Sequence, residues 1–288
     1  MQIFEFDKIE QDEKAIKETW EKFKEELKIG NFKYNEVDKA KKCIFLKQYD
    51  DLFNINQGLQ YKTIKLKDIK NRRVGRGAKL QDKEIVNYER FIPKKEFIKE
   101  SNRFSPKGIE WLYLAIGGES EIKQCAKAEC RATIGDRFGF CDFEINSIYY
   151  DLKIVDLTIA DDISYLDLNK KLENYGQKQL KKASKMARKI GYAPMNIVNK
   201  LEFKEVFKEW AVYTYAKLLS EQIFVPLADT EDKNIIYAPF QSMAQYYISL
   251  GYSGIMYGST VCNVGKNIVL FDKNIASPTG SIEVSQIQ

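Results

Sequence analysis

What most constrains the fold is the order and spacing of the apolar runs. Short runs at residues 109–116, 138–145, 254–259 and 267–271 read as strands, punctuated by glycine and proline. Between them lie helical patterns of very unequal length, at residues 119–131, 166–193, 203–224 and 241–250. Strict strand–helix–strand spacing is lacking, and no segment repeats. This excludes a doubly wound parallel sheet and a solenoid. It predicts an α+β fold, with a mixed or antiparallel sheet core and flanking helices. Residues 148–157 also read as a strand, although apolar side chains fall on both faces and leave its sidedness open.

The first seventy residues differ in texture. Ile16, Trp20, Phe23 and Leu27 recur at helical spacing among glutamates and lysines, and Gly30 follows as a C-cap. So narrow an apolar stripe must dock on something. The expected division is an N-terminal, partly helical extension (1–70), a main domain (71–275) and a tail (276–288).

Composition limits the chemistry. With 44% hydrophobic and 13% aromatic residues, the 288-residue chain can bury a core. It contains 0 histidines, which removes Ser-His-Asp and Cys-His triads, a histidine base and imidazole-bound zinc. The 5 cysteines form no Cys-x-x-Cys pair, and the spacing of Cys125, Cys130 and Cys141 fits no zinc motif. No metal is expected, and free thiols suit a reducing cytoplasm. The first residues carry neither a basic stretch nor an apolar stretch of the kind a secretion signal needs, and no apolar run is long enough for a membrane helix.

A net charge of +5 is too weak to imply nucleic acid. Two basic segments, 61–79 and 180–189, read as solvated edges, with at least one arginine of the first a candidate for facing phosphate. Neither interleaves aromatics with its basic residues as base stacking would require, so a nucleic-acid-binding module is the least favoured reading. Gly75-Arg76-Gly77 is a lone Gly-x-Gly without the remainder of a dinucleotide fingerprint.

Three residues stand out between positions 101 and 131: Arg103 in a loop, Tyr113 in a strand and Glu129 on a helix. A guanidinium can clamp a pyrophosphate, a phenol can orient a ribose, and a carboxylate can stabilise an oxocarbenium-like transition state. Cleaving the nicotinamide–ribose bond of NAD needs those roles. The leaving group departs neutral, so neither histidine nor metal is required.

The stretch Asn102-Arg103-Phe104-Ser105-Pro106-Lys107-Gly108-Ile109, followed by Leu112-Tyr113-Leu114-Ala115, resembles the start of the RES domain. Cys125-Ala126-Lys127-Ala128-Glu129-Cys130-Arg131 is similar to that family's Thr-Ala-x-x-Glu-Val-Arg segment. Tyr237-Ala238-Pro239-Phe240-Gln241, then Gly251 to Ser259 and Gly265 to Phe271, resemble its closing portion. Together the blocks span roughly residues 72–272.

The resemblance implies an ADP-ribosyltransferase-like fold and a toxin or defence effector that consumes NAD by hydrolysis or phosphorolysis. NAD is then the substrate, with no separate cofactor, and a protein antitoxin is the implied partner. Self-association stays open. Matched position by position, Arg103, Tyr113, Glu129 and Ser259 are the implied catalytic residues, with Arg76 and Asn267 binding substrate. Passing ADP-ribose to a macromolecule is the alternative outcome from the same pocket. Three departures are visible: a longer link before Cys125, which leaves Glu119 and Glu121 as alternative acids; Phe104; and Cys125 in place of threonine.

Overall fold

The computed structural model describes residues 9–190, 200–223, 232–259, 261–262 and 265–288. The stripe of the first helix, α1 (Ile9–Lys28), finds its partner inside the molecule. Trp20 and Phe23 are fully buried, and Trp20 meets Phe45 and Phe240 at ring-centroid distances of 5.0 and 5.6 Å. Each such side chain contributes about 1.5–3 kcal/mol of burial. Two short helices follow, α2 (Val37–Ala40) and α3 (Ile44–Asp50), and then β1 (Thr63–Lys65).

The rest of the chain runs β2 (Arg73–Leu80), β3 (Leu112–Gly117), α4 (Glu119–Glu129), β4 (Arg137–Ile145), β5 (Lys153–Asp156), α5 (Tyr165–Ile190), α6 (Lys200–Ile223), α7 (Lys233–Ser249), β6 (Gly254–Gly258), β7 (Lys266–Leu270) and β8 (Ala276–Gln286). The strands form one 8-stranded sheet in the order β1-β5-β6-β7-β3-β2-β4-β8. Every neighbouring pair is antiparallel except β5 and β6, so the architecture is mixed α/β with a mostly antiparallel sheet.

Both sheet faces are covered. On one, Ile255, Tyr257 and Val269 pack under α1, α3, α6 and α7. Further along that face, Ala115, Phe138 and Phe140 pack under Ile122 and Ala126 of α4. On the other, Leu112, Leu114, Ile116 and Ile268 lie beneath Leu66, Ile69, Phe91 and Ile275, which come from short turns.

Several elements differ from the sequence expectation. Residues 276–288, expected as a tail, supply β8, an edge strand paired to β4 from Arg137↔Gln286 to Ile145↔Ala276. Its serines, Thr279, Glu283 and Gln286 hide the period-2 signal, because main-chain bonds to β4 hold the strand rather than apolar side chains. Within 148–157 only Lys153–Asp156 is strand, since Tyr149 and Tyr150 turn back to hydrogen-bond the Asn146 and Ser147 carbonyls. Helix α7 starts eight residues before its expected start at 241, with Asp232 capping the Asn234 N–H at 2.8 Å and Pro239 inside the helix. Positions 191–193 and 224 of the expected helices lie outside the described residues.

The interruption that matters for function is between β2 and β3. They pair only over Arg73↔Gly117, Val74↔Ile116 and Gly75↔Ala115. Beyond Gly75, β2 continues paired to β4 alone, and Leu112 to Leu114 of β3 pair to β7 alone. The sheet therefore forks in its middle, and two strand edges that would otherwise bond each other face a shared gap.

The basic segment 61–79 is not one solvated edge. Arg72 is exposed, but Lys62 is 1% exposed, with its ammonium 3.8 Å from the Phe53 ring centre and donating to the Tyr49 hydroxyl. No carboxylate pairs with it among the described residues. Burial pushes its pKa well below that of an ordinary lysine, and Asp156 only partly opposes this. The unfolded chain thus binds a proton that the native state lacks between the two pKa values, so stability rises with pH across that window. Lys62→Met, which leaves Tyr49 its bond to Tyr247, should stabilise the protein by about 1–3 kcal/mol at neutral pH. In denaturant titrations it should also flatten the rise toward pH 10; an unchanged or steeper rise would contradict the assignment.

Candidate active site in the forked sheet

The fork holds a cavity of about 220 Å³. Gly75, Arg76 and Gly77 line its β2 side and Tyr113, Leu114 and Ala115 its β3 side, with Glu129, Cys130, Tyr257 and Asn267 completing the wall. The glycines serve packing rather than phosphate cradling. A Cβ on Gly75 would lie 2.4 Å from the Phe140 ring, and one on Gly77 would lie 2.6 Å from the Phe138 ring and 2.9 Å from the Ala126 carbonyl oxygen. Without side chains here, α4 and the two phenylalanines can close beneath the fork. Arg76 alternates with them, and its guanidinium donates to the Phe91 carbonyl at 3.1 Å.

Glu129 is the last residue of α4, the end where unpaired carbonyls make a carboxylate unwelcome. Two donors hold it there. The Ser259 hydroxyl donates to Oε1 at 2.9 Å, and the Asn267 side-chain amide donates to the same oxygen. Each donor is itself fixed. Ser259 Oγ accepts the Cys262 and Val261 N–H groups at 3.1 and 3.3 Å, while Asn267 Oδ1 accepts the Cys125 thiol at 3.4 Å. Burial pushes the Cys125 thiol up to about 12, so it stays protonated and keeps donating. Glu129 remains solvent-accessible, and its bonds to described residues both fall on Oε1.

Arg103 sits in a loop fastened to α7: Gln241 donates to the Asn102 carbonyl at 3.2 Å, and Ser101 donates to Asn234 at 2.7 Å. Its guanidinium lies 5.3 and 5.6 Å from the Tyr237 and Phe240 ring centres and has no hydrogen-bond or ion-pair partner among the described residues. Burial lowers its pKa somewhat, opposed by the nearby Tyr237, Tyr257 and Glu129, and the group remains a cation. Phe104 turns inward, edge-on to Tyr257 at 4.9 Å. The Tyr113 hydroxyl is 2.9 Å from Ser105 Oγ, and burial raises its pKa above the ordinary phenol range. It is a hydrogen-bonding group, not a base.

Four of the six sequence candidates line the cavity, and the other two, Ser259 and Arg103, adjoin it. Arg76, Tyr113, Glu129 and Asn267 line the cavity, Ser259 anchors Glu129, and Arg103 lies within electrostatic reach of Tyr113 and Glu129. Glu119 and Glu121 do not join them. They occupy the first turn of α4, about 15 Å from its other end, where Glu119 pairs with Arg73 at 2.9 Å and Glu121 accepts the Gly118 N–H at 3.0 Å. Cys125 and Cys141 belong to cores on opposite faces of the sheet, and no metal-binding cluster of Cys, Asp and Glu occurs among the described residues. No described helix is long and apolar enough to cross a membrane. Sequence reading assigned no role to Tyr257, although it lies within the closing block; its rung partner in the sheet is Asn267, a relation only the register reveals.

Compared with known proteins, the chain matches no family model, no curated protein and no solved structure.

The packing account of Gly77 is testable in isolation. Gly77→Ala should lower stability by about 1–3 kcal/mol, read as a reduced urea midpoint at unchanged slope, because the Ala126 carbonyl and the buried Phe138 ring cannot both retreat. A wild-type midpoint would show that the fork has slack.

Proposed function

We propose that the forked cavity binds NAD and cleaves its nicotinamide–ribose bond, consuming the dinucleotide by hydrolysis or phosphorolysis. The observation that carries this reading is a guanidinium, Arg103, with no hydrogen-bond or ion-pair partner among the described residues, near an accessible carboxylate, Glu129, whose bonds to described residues all fall on one oxygen. A half-buried cation with donors to offer suits a pyrophosphate, which accepts bidentate hydrogen bonds. Arg76 has further N–H groups beyond its bond to Phe91 and adds a second cation. The resemblance of the Arg103, Glu129 and Ser259 blocks to the RES domain supports the same reading, and with it a role as a toxin or defence effector restrained by a protein antitoxin.

The chemistry asks little of acids and bases. As the C–N bond lengthens, positive charge builds on the ribose and nicotinamide leaves neutral. Glu129 Oε2 lies where it can hold a ribose hydroxyl and face that charge, while Ser259 and Asn267 prevent the carboxylate from swinging away. Arg103 and Arg76 fix the pyrophosphate, so the sugar enters in one orientation. Tyr113, tied to Ser105, flanks the sugar. Water or phosphate then attacks the anomeric carbon.

The purified full-length protein should release nicotinamide from NAD. Glu129→Gln should slow that release by about 100- to 1000-fold with little change in melting temperature, and Arg103→Ala should chiefly raise KM. Chromatography with and without phosphate separates ADP-ribose from its 1-phosphate. NAD left intact over hours would overturn NAD cleavage, and ADP-ribose label carried wholly onto macromolecules added from a cell extract would overturn hydrolysis and phosphorolysis.

A further inference from the structure

Tyr257 lines the cavity with a hydroxyl that no described residue hydrogen-bonds. The residue is 7% exposed and lines the cavity, and its ring is wedged edge-on against Phe104. Its hydroxyl makes no hydrogen bond among the described residues, unlike the phenols of Tyr49, Tyr113, Tyr215, Tyr246 and Tyr247. Among the described residues the fully buried side-chain atoms without a partner are Thr214 Oγ1 and Ser242 Oγ, so the Tyr257 hydroxyl is open to water from the cavity. A phenol so placed can exchange that water for a ligand hydroxyl.

Register fixes what lies beside it. Tyr257 on β6 shares a rung with Asn267 on β7, and Asn267 donates to Glu129. Adjacent strands are about 4.8 Å apart, so the phenol and the Glu129 carboxylate border the same small volume. Burial, reinforced by the nearby Glu129, keeps the phenol protonated and able to donate. The cavity is thus lined both by Glu129, whose Oε2 bonds no described residue and can accept, and by Tyr257, whose Oη can donate or accept.

We propose that Tyr257 and Glu129 together grip the vicinal diol of the substrate's nicotinamide ribose, one hydroxyl each, making a cis-diol sugar the required substrate class. This rests on the NAD-cleaving reading of the same cavity. Two hydroxyls on neighbouring carbons match two protein groups on one cavity wall, whereas a bound sugar lacking either would shut water away from one group and give it no partner. Such a site rejects the deoxy analogue more strongly than lost contact area would suggest.

The test is a double-substitution cycle on nicotinamide release. Wild-type protein and Tyr257→Phe are each assayed with NAD and with its analogues lacking the 2′- or the 3′-hydroxyl of the nicotinamide ribose. Tyr257→Phe should lose about 10- to 100-fold in kcat/KM on NAD. With one of the two analogues it should lose nothing further, because the bond is already gone. A merely structural tyrosine would instead lower activity on all three substrates alike. Losses that simply multiply with both analogues, or a Tyr257→Phe enzyme equal to wild type, would overturn the diol assignment while leaving NAD cleavage intact. A wild-type protein inert toward NAD would overturn the underlying reading and the assignment with it. Should Tyr257→Phe fail to fold, the wild-type protein alone decides: impaired turnover of both analogues is expected, and full turnover of either rejects the proposal.

Discussion

Glu129 sits at the wrong end of its helix, and much of the molecule exists to keep it there. A carboxylate beside the unpaired carbonyls of a helix C-terminus is electrostatically disfavoured, so only outside donors can hold it in one rotamer. Ser259, just past the end of β6, and Asn267 on the neighbouring β7 do so, and each is held in turn by the backbone of the following loop or by the Cys125 thiol. Glu129 is exposed and yet held by two side chains that are themselves buried, which is the arrangement the proposed function uses.

The fork gives that carboxylate something to face. Pairing of β2 and β3 over only three residue pairs leaves a gap lined by main-chain edges and small residues, in a sheet that is otherwise continuous. Residues 1–70 contribute to the scaffold: Trp20, Phe23, Phe45 and Tyr49 share one core with Phe240, Tyr247, Ile255 and Tyr257. Through Phe240 and Phe104, that core braces both the loop bearing Arg103 and the ring of Tyr257. The N-terminal stripe therefore reaches the cavity wall by direct contact between aromatic rings.

What could be read from the residues follows from which interactions are local. The strands at 138–145 and 267–271 and the helix at 119–131 show because apolar periodicity reports burial of one face. Strand β8 did not show, since its bonds are main-chain and its side chains polar. Lys62 read as a surface charge, because nothing in 61–79 reveals that Tyr49 and Phe53 will enclose it. The resemblance singled out Arg103, Tyr113 and Glu129 and left the acids at 119 and 121 as alternatives; the length of α4 puts those two at its far end, away from the cavity that Glu129 lines. Tyr257 was invisible as a site residue because its importance lies in a cross-strand rung with Asn267 and in a bond it does not make.

Whether a dinucleotide binds in the gap between β2 and β3 is decided by a crystal structure of the Glu129→Gln full-length protein soaked with NAD. Pyrophosphate density against Arg103 is expected, with the nicotinamide ribose beside residues 129 and 257 and Gly75 and Gly77 beneath it. NAD bound elsewhere on the molecule, or an empty fork at millimolar NAD, would contradict that placement.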